Sequence, residues 1–186
     1  MFFSRLQKDG LRLEKGAKLS DFAKLHAIIG DTPLPTEFVE LYSKHNGGDA
    51  GYSKSGVHWL SIEQIIEEWE SWMELVEEHK SVIIGDHHSS CVREYCGGDN
   101  RIKFEWFDPK WLPITNIDGT RECLLLDLNP GQNGKIGQVL QFNCEGCCAT
   151  FYADSIETAI IELIEQNNED STNEENDNDI EIIMDE

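Results

Sequence analysis

The sequence predicts a single α+β domain built on an antiparallel sheet, and three observations carry the prediction. Helical patterns stand before and after a run of short strand patterns and do not alternate with them. Those strand segments are β-branched or aromatic and so closely spaced that hairpin connections join them, which makes a meander. A chain of 186 residues also suits one domain that buries its own core without disulfide support.

Each element follows in order. Ser20 is the expected cap of a first helix, with Phe22, Leu25, His26 and Ile29 on one side and Gly30 as its stop. In LPTEFVELYSKHNGG, Leu34 to Gly48, Pro35 suits a first helical turn because its missing N–H would find no partner there. Leu34, Phe38, Leu41 and Tyr42 share one stripe, and Asn46, Gly47 and Gly48 tolerate the left-handed conformation that closes a helix. GYSKSGVHWL reads as a strand ending at Trp59 and Leu60. Ser61 with Gln64 forms a capping box for the longest helix, running to about His79. Its buried stripe is Ile62, Ile65, Ile66, Trp69, Trp72, Met73 and Val76, while Glu63, Glu67, Glu70, Glu74 and Glu77 recur on another face. Val82 to Asn100 reads as a long irregular loop. Strands are expected at Ile102 to Phe107, Leu112 to Ile117, Glu122 to Leu128, Gly137 to Phe142 and Cys148 to Ala153. Ser155 caps a last helix that turns Ile156, Ala159, Ile160 and Leu163 to the sheet. The domain is thus expected over residues 1–165, followed at 166–186 by an acidic tail that composition predicts to be disordered, with Ile180, Ile182, Ile183 and Met184 as an apolar patch within it.

Thirty-six acids against fifteen bases give a formal net charge of -21, and after Lys135 there are fourteen acids and no Lys or Arg. Such a charge repels nucleic acid and anionic membrane and steers cationic partners inward, so a basic protein is the natural partner. The plainer reading is that the charge keeps the protein soluble. No apolar run is long enough for a signal peptide or a membrane span, which leads to the expectation of a cytoplasmic protein whose six cysteines stay reduced.

LPTEFVELYSKHNGG reads as LP, helix, NGG; FDPKWLPITNIDG as a W-[IL]-P-I strand and turn; and LLLDLNPGQNGKIGQVLQF as a D-L-D-P, glycine turn, G-Q-V strand pair. Three such fragments in this order resemble the SUKH superfamily, which embraces fungal cell-wall regulators and bacterial toxin-immunity proteins. The resemblance implies a twisted antiparallel sheet flanked by helices and a role in binding. It implies an immunity protein that seizes a cognate toxin, often a nuclease or nucleic-acid deaminase. The alternative is an intracellular scaffold or adaptor of the cell-wall-regulator type. The chain departs from the family pattern at the turn Asn116 to Arg121 and in its acidic extension beyond Leu163.

Candidate chemistry is sparse. Asp86, His87, His88, Cys91 and Cys96, and separately Cys144, Cys147 and Cys148, offer metal donors, but one C-x-x-C without a second knuckle favours plain thiols and a solvated loop. No nucleophile elbow, phosphate-binding loop or metalloprotease helix is present, so neither catalysis nor a cofactor is expected. Asp118, Glu122 and Asp127 near the hairpins read as solvated surface. Trp72 and Trp106 would anchor a partner if exposed. The expected partner contacts are Glu67, Glu70, Glu74 and Glu77 along the long helix, with Asp118 and Glu122 near the hairpins.

Overall fold

A helix with no strong signal in the sequence, α1 (Phe2–Asp9), opens the chain and buries Phe2, Leu6 and Asp9. The computed structural model describes residues 1–49, 53–83, 98–103, 106–117, 122–143 and 148–181, and within these it leaves undescribed the side chains at 49, 79–83, 148 and 170–181. After α1 come β1 (Arg12–Leu13), α2 (Leu19–Ile29), α3 (Thr36–Lys44), β2 (Gly48–Asp49), β3 (Val57–Trp59) and α4 (Ile62–Ile83). Four strands follow, β4 (Trp111–Ile117), β5 (Glu122–Asp127), β6 (Gln138–Asn143) and β7 (Cys148–Ala153), and α5 (Ile156–Glu181) completes the described chain.

Strands β3 to β7 form one five-stranded sheet in sequence order, every pair antiparallel, while β1 and β2 make a separate two-stranded pair. The α+β arrangement and the meander are those the sequence predicts. Both faces of the sheet are covered. Along β5, Leu124 and Leu126 enter one core with α1, α2, α3 and α5, whereas Cys123 and Leu125 enter a second with Trp111, Phe107 and Phe142. Successive strand residues point to opposite faces, so a strand covered on both sides reads as the unbroken apolar run CLLL. Helix α4 serves both cores: Ile62 and Ile65 pack in the first, and Trp72, Met73 and Val76 against the second.

Pro113 lies inside β4, where it supplies no N–H. The register with β5 shifts between Pro113 and Thr115, and the Thr115 hydroxyl accepts the Leu124 N–H at 3.0 Å. A bulge with a side-chain acceptor is thus the local solution to a proline in an interior strand.

Two local expectations need correction. Helix α2 starts one residue earlier than Ser20, with Lys18 as its N-cap residue and the Asp21 carboxylate accepting the Lys18 N–H at 2.8 Å; His26 is exposed while Leu25 and Ile29 are buried. No strand is seen among the described residues of the segment 102–107. The turn leading into it is engaged elsewhere: the Asn100 and Arg101 carbonyls accept from the Asn133 and Gly131 N–H groups, the Ile102 N–H donates to Asp99 O at 3.1 Å, and Ile102 and Phe107 are buried in the second core. Helix α5 runs from Ile156 to Glu181. Along it Tyr152 donates to Gln166 at 3.1 Å, and Asn167 and Asn168 donate to Ser55 O and Asp9 Oδ1, both at 3.0 Å.

Helix α3 ends on an extended His45 whose N–H donates to Leu41 O, not on a left-handed residue of NGG as expected, and the NGG turn that follows serves another contact. Gly47 has φ near 79°, and a Cβ there would come within 2.5 Å of Ser61 N and 2.8 Å of Trp59 O. The close approach brings Asn46 Oδ1 within 2.9 Å of the Ile62 N–H, while Ser61 Oγ accepts from Gln64 N–H at 3.3 Å and Gln64 Oε1 from Ser61 N–H at 2.8 Å. Donors that a helix start leaves without internal partners are thereby satisfied from two directions. Behind the turn, Tyr42 donates to Leu60 O at 3.0 Å and accepts from Trp59 Nε1 at 2.9 Å, and burial raises the pKa of its phenol. Gly47→Ala is therefore expected to cost about 2–5 kcal/mol, combining a strained backbone with a backbone clash. Asn46→Ala, which removes only a cap, costs about 1 kcal/mol. Urea unfolding of the two variants tests the order, and equal losses would contradict the clamp.

Candidate partner-binding site

Rotation of α4 about its axis is set by aromatic packing. Trp72 stacks on Phe107 with ring centroids 5.2 Å apart and 7° between planes, and meets Phe142 edge-on at 5.1 Å. Trp69 Nε1 donates to Pro109 O at 3.0 Å. Such ring geometries are favoured by the quadrupoles of the rings and hold the helix against rolling. The opposite face therefore meets solvent, and Glu63, Glu67, Glu70, Glu74 and Glu77 are all exposed.

These carboxylates stand three and four residues apart, the spacing at which helix side chains are neighbours and like charges cost about 0.2–0.5 kcal/mol per pair. Glu67, Glu70 and Glu74 form no ion pair among the described residues. Glu68, one position off the ridge, is turned to the sheet and accepts from Asn116 Nδ2 at 3.2 Å. The ridge thus carries a repulsion that the packed side of α4 offsets, and a row of cations placed on it relieves that repulsion.

Glu122 is not part of this row. It accepts from Gln141 Nε2 at 3.0 Å and from Asn143 Nδ2 at 3.5 Å across the β5–β6 ladder. Strand alternation puts it on the face of Leu124 and Leu126, opposite to the face against which Trp72 packs. Asp118 lies outside the described residues, as do Asp86, His87, His88, Cys91, Cys96, Cys144 and Cys147. Cys123 is buried in the second core. Among the described residues no cluster of three or more His, Cys, Asp or Glu side chains is arranged to hold a metal ion, and no helix is long and apolar enough to cross a membrane. Trp72 is half-buried in its aromatic cluster, with the Trp106 ring 6.4 Å away.

Asp127 overturns its reading as solvated surface, because its side chain is fully buried. Its Oδ1 accepts from Asn129 N–H at 2.9 Å and its Oδ2 from Gln138 Nε2 at 2.8 Å. Gln138 also donates to Arg101 O at 2.8 Å and accepts from Lys135 N–H at 3.1 Å, which ties the turn at 99–103 to the loop at 129–137. Gly134 fits there because a Cβ would stand 2.2 Å from Arg101 O. Asn129 Nδ2 donates to Asp108 Oδ2 at 2.8 Å and extends the knot under β4. Burial pushes the Asp127 carboxyl up to about 6, against the lowering effect of its hydrogen bonds. The D-L-N-P and G-Q-V signature residues thus hold the fold together, while the row on α4 lies on its exposed surface.

An acidic helix face thus stands on a two-core α+β domain whose signature residues are spent on its turns. The family model of the SMI1 / KNR4 family (SUKH-1) matches residues 16–162, and the chain belongs to that family. No curated protein matches it at a significant level.

The raised Asp127 pKa has a definite sign. The folded chain binds an extra proton between the ordinary carboxylate value and about 6, so this group's stabilising contribution is complete below that window and is lost as pH rises through it. Asp127→Asn lacks the titration but turns an amide N–H₂ toward a donor. In urea unfolding from pH 4 to 7 its deficit relative to wild type is expected to shrink by up to about 1.4 kcal/mol per pH unit inside the window. A deficit that is constant with pH would contradict the assignment.

Proposed function

We propose that this protein is an immunity-type member of the SUKH superfamily, a cytoplasmic, non-catalytic module that captures one basic protein toxin through the carboxylate row of α4. The observation that carries the reading is that row: Glu63, Glu67, Glu70, Glu74 and Glu77 exposed on one rigidly seated helix of a chain with net charge -21. A toxin that acts on nucleic acid presents Lys and Arg groups to phosphates, and a row of carboxylates pairs with the same groups. Occupying them excludes the substrate. Long-range attraction speeds the encounter, by about 10- to 1000-fold for strongly charged surfaces at low salt. The concentration of charge on one helix face supports capture of a single partner over the adaptor reading.

Co-expression with the product of the adjacent upstream gene is expected to restore growth, with a stable complex recovered. Replacing Glu67, Glu70, Glu74 and Glu77 together by Gln leaves the fold intact and lowers the association rate at least about tenfold at low salt, the difference shrinking as salt is added. Absence of rescue and of any complex contradicts the proposal. Recovery of several signalling proteins at similar yield would favour an adaptor.

A further inference from the structure

Charge is distributed unevenly along the chain, and the part with the opposite chemistry to the α4 row has a cleft of its own. Residues 1–54 hold eight bases and seven acids, so the net negative charge is carried beyond Lys54. Between α1 and α5 lies a cleft of about 470 Å³, floored by Ile161 and Ile164 and edged by Arg5, Lys8, Lys54 and Asn168. Most of that lining falls outside residues 16–162, so the cleft is built largely from parts of the chain beyond the span that matches the family.

The edges of the cleft are held in place. Lys54 N–H donates to Asp9 O at 2.8 Å, joining the 53–55 segment to the end of α1. The buried Asp9 carboxylate accepts from Ser53 Oγ at 2.7 Å, Ser55 Oγ at 2.8 Å, Asn168 Nδ2 at 3.0 Å and Ser55 N–H at 3.2 Å. A carboxylate has about four acceptor positions, so Asp9 has none left with which to draw in a cation. Arg5 is paired with Glu165 across the groove, which continues beyond that pair into a second recess of about 320 Å³ lined by Phe2 and Ile161. Both side chains of the pair are about half exposed, so it is weak and can yield. Lys8 and Lys54 are exposed and make no ion pair among the described residues. The rim thus offers two ammonium groups above a floor of isoleucine.

We propose that the cleft between α1 and α5 binds a small amphiphilic carboxylate, one anionic head on an aliphatic body. The head meets Lys8 and Lys54, and the body lies on Ile161 and Ile164 and runs toward Phe2. Three features select this class. The volume falls in the range of about 300–1,000 Å³ found for small-molecule pockets, which combine apolar lining with a few polar groups. The rim selects an anion, because its free charges are positive and its buried acid is already satisfied. The chain as a whole then selects a small anion over a large one. Repulsion grows with the product of the charges, so a single carboxylate meets far less opposition from a net charge of -21 than an acidic protein, a nucleic acid or an anionic membrane does. Removing the aliphatic body from water supplies the remaining affinity.

The test is an amide-shift titration by NMR of the full chain with octanoate, alongside 1-octanol, which keeps the tail without the charge, and acetate, which keeps the head without the tail. Octanoate is expected to saturate one site, to shift Arg5 to Asp9 and residues 161–168, and to bind at least about tenfold more tightly than either of the others. Lys8→Gln/Lys54→Gln is expected to weaken octanoate at least about tenfold and to leave 1-octanol unchanged, a split that a folding defect does not produce. The comparison of the three probes uses wild type alone and stands whatever the variant does. Absence of a saturable shift overturns the proposal, as do shifts centred away from α1 and α5, equal binding of octanoate and 1-octanol, or a variant that binds octanoate as wild type does. The cleft and the α4 row use different residues, so none of these results bears on toxin capture.

Discussion

Backbone pressed against backbone at Gly47 is the constraint on which the rest of the molecule depends. Only a residue without a side chain fits where Ser61 N and Trp59 O stand 2.5 and 2.8 Å from a would-be Cβ. That approach lets Asn46 cap α4 and puts the Tyr42 hydroxyl between Leu60 O and Trp59 Nε1. Helix α4 therefore leaves the sheet in one direction. Its packed side then falls to Trp69 and Trp72, and the carboxylate row becomes the side that remains. Sequence, turn, packing and surface chemistry are linked in that order.

Much of this was legible from residue pattern. Strands β4 to β7 and the Ser61–Gln64 cap sit where side-chain type and turn chemistry put them, because each of those signals is local. The long-range contacts were less visible. NGG announces that a helix ends, but nothing near it in the chain says that Ser61 lies against it. Asp127 reads as surface because acids in an acidic protein usually are; its burial depends on Gln138 and on the turn at Arg101, each far away in sequence. The segment 102–107 has strand composition, yet its neighbouring carbonyls are claimed by Gly131 and Asn133, so burial replaces pairing. Helix α1 carries two adjacent phenylalanines beside polar residues, a pattern too short to separate from other structures until Trp59 packs edge-on against Phe2 at 5.7 Å.

The distribution of charge follows from the same packing. Two cores consume the apolar residues of both sheet faces, and among the described residues the buried carboxylates, Asp9, Asp108 and Asp127, are held by hydrogen bonds. A helix surface with carboxylates three and four apart is unfavourable on its own. It persists because aromatic packing beneath holds the helix regardless; under the proposed capture that repulsion is already present, and a cationic partner removes it on arrival.

The most direct measurement of the central claim is zero-length carbodiimide coupling of the chain to its captured partner, with the joined residues located by mass spectrometry. Capture by the α4 row predicts amide links from Glu67, Glu70, Glu74 or Glu77 to lysines of the partner, suppressed by high salt. Links confined to carboxylates elsewhere, with the α4 glutamates unmodified by the partner, would contradict it.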